Sequence, residues 1–188
     1  PIDPPAEYLD RVDMSRDLPR AVRQGELDDP SRLHHRSWRG PGGIDGCAGA
    51  EGGACARYDE AYWRRHRHHY YANVTQIDEW VGRILDAVER RWGQDALVIL
   101  LADHGEMLGN HGLWGKHNCA YEQVWGIPLL VRYPGERRGQ AVDALVTNGD
   151  IMATCLHAAG RAEPAWGDGL DYRTLVERGG YSHVFAEG

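Results

Sequence analysis

The sequence predicts an α/β protein with a mostly parallel central sheet flanked by helices, on the evidence of two apolar runs and one long helical repeat. Leu97–Ala102 is an unbroken apolar run of Leu, Val, Ile and Ala. It is too short to span a bilayer and reads as a strand buried on both faces of a parallel sheet. Ahead of it, Tyr58–Trp92 carries Tyr62, Tyr70, Val74, Ile77, Val81, Ile84, Leu85 and Val88 at spacings of three and four, one apolar stripe of a long helix. Behind it, Ile127–Tyr133 reads as a second strand closed by Pro134-Gly135. A long helix feeding a buried strand is half of a βαβ unit.

Taken in order, the first residues are interrupted by Pro1, Pro4, Pro5, Pro19 and Pro30, leaving room for one short helical turn around Glu7–Val12. Gly40–Gly53 is half glycine and reads as a surface loop. It lacks the Gly-Lys-Ser/Thr ending of a phosphate-binding loop and follows no strand. The chain therefore divides into a proline- and glycine-rich connecting segment, 1–57, and the α/β portion, 58–188. Within the long helix, Gly82 is expected to let the helix sit close on the sheet, at a propensity cost of about 1 kcal/mol. Asp78 reads as a structural hydrogen-bond acceptor, and Gly93 ends the helix. Ala141–Thr147 is a shorter strand candidate. Asp150 opens a helix with Ile151, Cys155, Leu156 and Ala159 on one face, and Gly160 caps it.

The chemistry concentrates where the first apolar run stops, at Asp103-His104-Gly105. Ligands of open α/β sheets bind beyond the carboxyl ends of strands. An adjacent carboxylate and imidazole there suit one divalent cation, and Gly105 permits a sharp turn. Thirteen residues after Asp103, past Gly109, Gly112 and Gly115, comes Lys116. It is the one lysine among 21 basic residues, the rest being arginines. A single lysine beside a candidate metal site implies a need for a compact ammonium with mobile donors rather than a planar fork. His111, in the same loop, either lines the pocket or stabilises the loop. The solvated face is the expectation for His34, His35, His66, His68 and His69, against a second metal site.

The run DHGEMLGNHGLWGK followed by YEQVWGIPLLVRYPG resembles the sulfatases of the alkaline phosphatase superfamily. Their pattern is a strand, Asp-His-Gly or Asp-Asn-Gly, Gly-x-His-Gly, a lysine, and a Pro-Leu strand ending near Pro-Gly. PPAEYLDRVDMSRDLPRAV and GDGLDYRTLVERGGYSHVFAEG resemble flanking family segments, so the likeness runs along most of the chain, weakest between Arg32 and Ala56. The resemblance implies an alkaline phosphatase/sulfatase-like fold. It makes Asp103 and His104 two ligands of the active-site metal, calcium foremost with magnesium or manganese as alternatives. Lys116 would be the catalytic, sulfate-contacting residue, with His111 as a second substrate-side candidate and His117 and Asn118 near the organic group. Trp114 would be core or rim. Asn110 stands where the family usually has Asp or Glu, and Gly126 where it commonly has arginine.

The resemblance also exposes what is missing. Sulfatases mature the first residue of a Cys/Ser-x-Pro-Ser/Ala-Arg motif to formylglycine, which attacks sulfur. None of Cys47, Cys55, Cys119 and Cys155 stands in such a motif, and the family's paired aspartates are absent. Formylglycine is therefore expected upstream of Pro1, and the isolated chain is expected to be inactive. The four cysteines lack a CxxC pair and read as free thiols.

With 188 residues, 42% of them hydrophobic, the chain suits one domain or a large part of a bigger one. A net charge of −7 with no long basic run does not indicate nucleic-acid or anionic-membrane binding. Sparse disulfide evidence and no visible signal favour the cytoplasm over periplasm or secretion, and oligomeric state is left open. Three functions follow. The first is hydrolysis of a small-molecule or carbohydrate sulfate ester. The second is a phosphonate monoester or phosphodiester hydrolase of the same superfamily. The third is a degenerate metal-binding or interaction module. A two-metal phosphatase is disfavoured, because only His157 and His183 lie downstream and neither falls in a DxxxH frame.

Overall fold

The computed structural model describes residues 3–17, 19–23, 25, 59–113, 115–116, 121–137, 139–162 and 167–184. The glycine-rich segment 40–53 and His34, His35, Cys47, Cys55, Trp114, His117, Asn118 and Cys119 lie outside them. The elements are α1 (Ala6–Leu9), α2 (Glu60–Trp92), β1 (Val98–Leu101), α3 (Glu122–Trp125), β2 (Leu129–Arg132), α4 (Ile151–Ala158) and α5 (Tyr172–Arg178). The chain divides into two compact units, Pro1–Ala87 with His104–Ile127, and Val88–Asp103 with Pro128–Gly188.

The first unit is built on the N-terminal half of α2. Trp63 is fully buried with Met107, Leu113 and Val124, and Tyr62 and Tyr121 pack against this cluster. One turn on, Arg67 is buried, and its Nε and Nη2 donate to both oxygens of Asp17 at 2.8 and 2.6 Å. Nη2 also donates to Glu60 at 2.7 Å, and Arg20 donates to the other Glu60 oxygen. A bidentate fork of this kind offsets the cost of desolvating a guanidinium.

The period of α2 is as expected, but its buried face is not. Val74, Ile77 and Ile84 are exposed, and the residues buried are Trp63, Arg67 and Ala72. The reason is length. A helix of 33 residues is about 50 Å long, and the core wraps only its beginning. Among the described residues nothing lies within 4 Å of where a Gly82 Cβ would stand, so none of them makes the close approach expected there. Asp78 is exposed. Gly93 does end the helix, donating to the Glu89 carbonyl at 2.8 Å.

In the second unit, β1 pairs with β2 in the antiparallel sense, Leu100 opposite Leu130. The expectation of a parallel sheet is thus not met by these two strands. Nor are they buried on both faces. Each has a neighbour on one side only among the described residues, so Leu100 and Leu130, which share a face, are 41% and 60% exposed. Of the strand expected at Ala141–Thr147, one bridge remains, Leu145 to Gly180. Thr147 and Asp150 form a capping box on the 3-10 turn Asn148–Asp150 that leads into α4. Asp150 is itself buried and accepts from Leu170 N and the Tyr181 hydroxyl. The buried face of α4 is Ala153 and Thr154, with Cys155 exposed and free. Burial, then the nearby Asp150 carboxylate, push the Tyr172 phenol up to about 12. Among the described residues no helix is long and apolar enough to cross a membrane.

Candidate active site

The loop from His104 to Lys116 belongs to the first unit and is held at both ends. Gly105 N donates to the Val124 carbonyl at 2.7 Å and Glu106 N to the Gln123 carbonyl at 3.0 Å. A Cβ at Gly105 would collide with that Gln123 carbonyl, so only glycine allows the two backbones this close. Met107 and Leu113 turn inward onto Trp63 and Val124 and anchor the middle. Met107 N donates to the Gly115 carbonyl at 3.0 Å, and Gly109 N to the Leu113 carbonyl at 2.9 Å, closing the loop on itself. Asn110 accepts from Ala21 N at 2.8 Å, a task its amide oxygen performs without charge.

Two of the residues expected at the site meet. His104 Nδ1 lies 2.7 Å from the Gly105 carbonyl. A carbonyl can only accept, so Nδ1 carries the hydrogen and the neutral ring keeps its lone pair at Nε2. The Lys116 ammonium, which can only donate, is hydrogen-bonded to that Nε2. His111, with φ of +55°, stacks on Tyr121 at 3.9 Å between centroids and 8° between planes. Asp103 belongs to the second unit, exposed just beyond the carboxyl end of β1, and its carbonyl accepts from Asn148 Nδ2 at 3.3 Å.

Sequence reasoning passed over Glu106. Its Oε1 accepts from Gly115 N at 2.6 Å and from Leu108 N at 3.3 Å. Its charge also reaches the helix: burial, then the Glu106 carboxylate, raise the Tyr70 phenol above its ordinary value. The available signal was a carboxylate placed directly after a candidate ligand pair, before a loop rich in glycine amides.

Among the described residues no group of three or more His, Cys, Asp or Glu is gathered as for a metal ion. The donor chemistry nonetheless fits one. A ligating histidine characteristically donates its other ring N–H to a carbonyl, as Nδ1 of His104 does. Asp103 adds an anionic oxygen. A hard cation takes six or more donors, more than these two residues could supply.

Comparisons with known proteins identify the family and the fold. The sulfatase family model matches residues 13–161. The chain is 30% identical over 170 residues to the sulfatase YidJ of Escherichia coli, covering 87% of this chain and 30% of that protein. It is 36% identical over 118 residues to a choline-sulfatase of Rhizobium meliloti, covering 60% of this chain and 22% of the other. Among solved structures, a phosphonate monoester hydrolase from Silicibacter pomeroyi superposes with a TM-score of 0.76 at 26% identity, over 96% of this chain and 36% of that one. The chain thus spans between about a fifth and a third of the relatives it matches, and its fold is that of a portion of the alkaline phosphatase-like superfamily. The chain belongs to the sulfatase family.

Proposed function

We propose that this chain supplies the lysine and part of the metal-binding side of an enzyme that hydrolyses a sulfate monoester of a small organic alcohol or a carbohydrate. The observation that carries the reading is the Lys116–His104 contact, an ammonium on a ring lone pair directly after Asp103. Sulfatases as a family use a divalent metal and a formylglycine. Asp103 and His104 Nε2 would hold that metal here, the ring lone pair then serving the cation in place of the Lys116 ammonium, with calcium as the expected ion. When bound, the metal supplies Lewis-acid stabilisation of charge on the ester oxygens. Lys116, on its four-carbon stem, would bind the nonbridging oxygens and favour charge growing on the leaving oxygen. The nucleophile is not supplied by Cys47, Cys55, Cys119 or Cys155, none of which is followed by x-Pro-x-Arg.

A second reading, phosphonate monoester hydrolysis, is favoured by the extent of the likeness to the Silicibacter hydrolase. The test is made on a longer reading frame that includes a Cys/Ser-x-Pro-x-Arg motif. Aryl sulfate, phosphate and phosphonate monoesters are compared there. Sulfate is expected to be turned over fastest, with Lys116→Ala lowering kcat/KM by roughly 100-fold or more. Faster phosphonate turnover would select the second reading, and undiminished activity of Lys116→Ala would remove the lysine from both.

A further inference from the structure

We propose that Glu106 is the positioning residue for Lys116, acting as an acceptor for the peptide that precedes the lysine. The inference rests on the reading above only in assigning Lys116 to the site; the placement itself is read from the loop.

The peptide groups around Gly115 are fixed from both directions. Its N–H is taken by the Glu106 carboxylate at 2.6 Å, across nine residues of chain. Its carbonyl is taken by Met107 N at 3.0 Å. Glu106 and Met107 are neighbours, so one short stretch grips both sides of the residue before Lys116. That stretch is itself immobilised, since Glu106 N is bonded to the Gln123 carbonyl and the Met107 side chain is fully buried. Gly115 adopts φ of +73°, a conformation side-chain-bearing residues avoid, and the carboxylate holds it there. The result is a closed ring of contacts: His104, two residues on Glu106, across to Gly115, then Lys116 and back to His104. Lys116 is exposed, and a free four-carbon ammonium stem at the surface would sample many rotamers. Anchoring its backbone leaves only side-chain torsions to settle before the ammonium meets His104. A charged acceptor holds an amide more firmly than a neutral one. Glutamate also has the reach that aspartate lacks.

Lys116 is the one lysine of the chain, so lysine labelled with 15N and 13C gives this residue's signals alone. In Glu106→Ala, the Lys116 side-chain 15Nζ resonance and its backbone amide are expected to move to the values of an unconstrained lysine. The 15Nζ shift should match that of His104→Ala. In Glu106→Gln, whose amide oxygen still accepts from Gly115 N–H, both are expected to stay near wild type. A merely structural loss would instead broaden the tryptophan signals, which should be unchanged in all three. The proposal is overturned if Glu106→Ala leaves the Lys116 signals in place, or if Glu106→Gln moves them as far as Glu106→Ala does. Should Glu106→Ala fail to fold, Glu106→Asp decides: the shorter carboxylate withdraws from Gly115 N, and unmoved Lys116 signals overturn the proposal. Failure of the functional reading looks different. Full activity of Lys116→Ala in the longer enzyme would remove the lysine from catalysis and leave the Glu106 result standing.

Discussion

The loop that carries His104 and Lys116 is irregular in backbone, yet Met107 and Leu113 anchor it in the buried cluster of its unit. The strand pair that precedes and follows it is regular and leaves leucine side chains in solvent. Met107 and Leu113 of the loop are 0% and 2% exposed, whereas Leu100 and Leu130 of the strands are 41% and 60% exposed. The difference teaches that order at this site does not come from secondary structure. It comes from two buried anchors, a carboxylate clamp and a run of backbone bonds to Gln123 and Val124. Regular hydrogen bonding in β1 and β2 satisfies the backbone without covering the side chains. A two-stranded ladder with an uncovered apolar face is marginal by itself. The loop's unit should therefore be broken by single substitutions at buried polar positions, and the strand pair should scarcely notice a change on its exposed face.

The largest effect is expected at Asp17. Its carboxylate takes both donors of the Arg67 fork, and the side chains of both residues are 5% exposed. Asp17→Ala leaves a buried guanidinium with Glu60 as its remaining charged partner, and truncating one side of a buried pair costs about 3–5 kcal/mol. Urea unfolding followed by circular dichroism should show that loss. A cost under about 1 kcal/mol would mean that Glu60 and water replace Asp17 and that the unit is not anchored here.

A smaller, pH-dependent effect is expected from His66, which stacks parallel to Tyr62 and meets the edge of Trp63. Burial, then the neighbouring His69 and Arg67, hold its pKa down at about 4. In the unfolded chain the imidazole takes up a proton near its ordinary value of about 6.5, while in the fold it resists. Between about pH 6.5 and 4 the unfolded state thus binds more protons, and stability falls as pH falls through this window. Asp17 follows a lower window: Arg67 hydrogen bonding holds its carboxyl below the usual range, so its contribution is lost only as pH falls through that depressed value. His66→Phe keeps a ring in place and removes the titration. It should flatten the stability profile between pH 6.5 and 4 by about 1–3 kcal/mol, and an unchanged slope would show that His66 is protonated freely in the fold.

What the sequence made legible was what repeats locally. The three-and-four spacing located α2 to within two residues at its start, and the two apolar runs located β1 and β2. The Asp-His-Gly to Lys116 spacing brought together His104 and Lys116, which share a hydrogen bond. What it left dark depends on residues distant in the chain. Helical spacing reports that a face is apolar but not where the core stops, so Val74 and Ile77 read as buried. Strand runs carry no record of their partner's direction, so the antiparallel sense of β1 against β2 could not be read from them. Nothing local marks Glu106 until the chain returns at Gly115 to meet it. Nothing local sets Arg67 apart from the other arginines of α2 until Asp17, fifty residues earlier, closes on it.

The smallest effect is expected at Leu130, which tests the other half of the contrast. It lies directly opposite Leu100, and the two side chains are largely exposed. Leu130→Thr preserves a shape that suits a pleated strand and removes little buried area. The expected change in stability of this chain is within about 0.5 kcal/mol, the range of ordinary surface substitutions. Burying such a side chain is worth about 1.5–3 kcal/mol, so a loss of that size would mean the face is covered in solution. The melting temperature should then be read at two protein concentrations tenfold apart. A temperature that rises with concentration identifies a second copy as the cover, because association stabilises by mass action. One that does not move assigns the cover to the chain itself, and the contrast between a buried loop and an open strand pair would no longer hold.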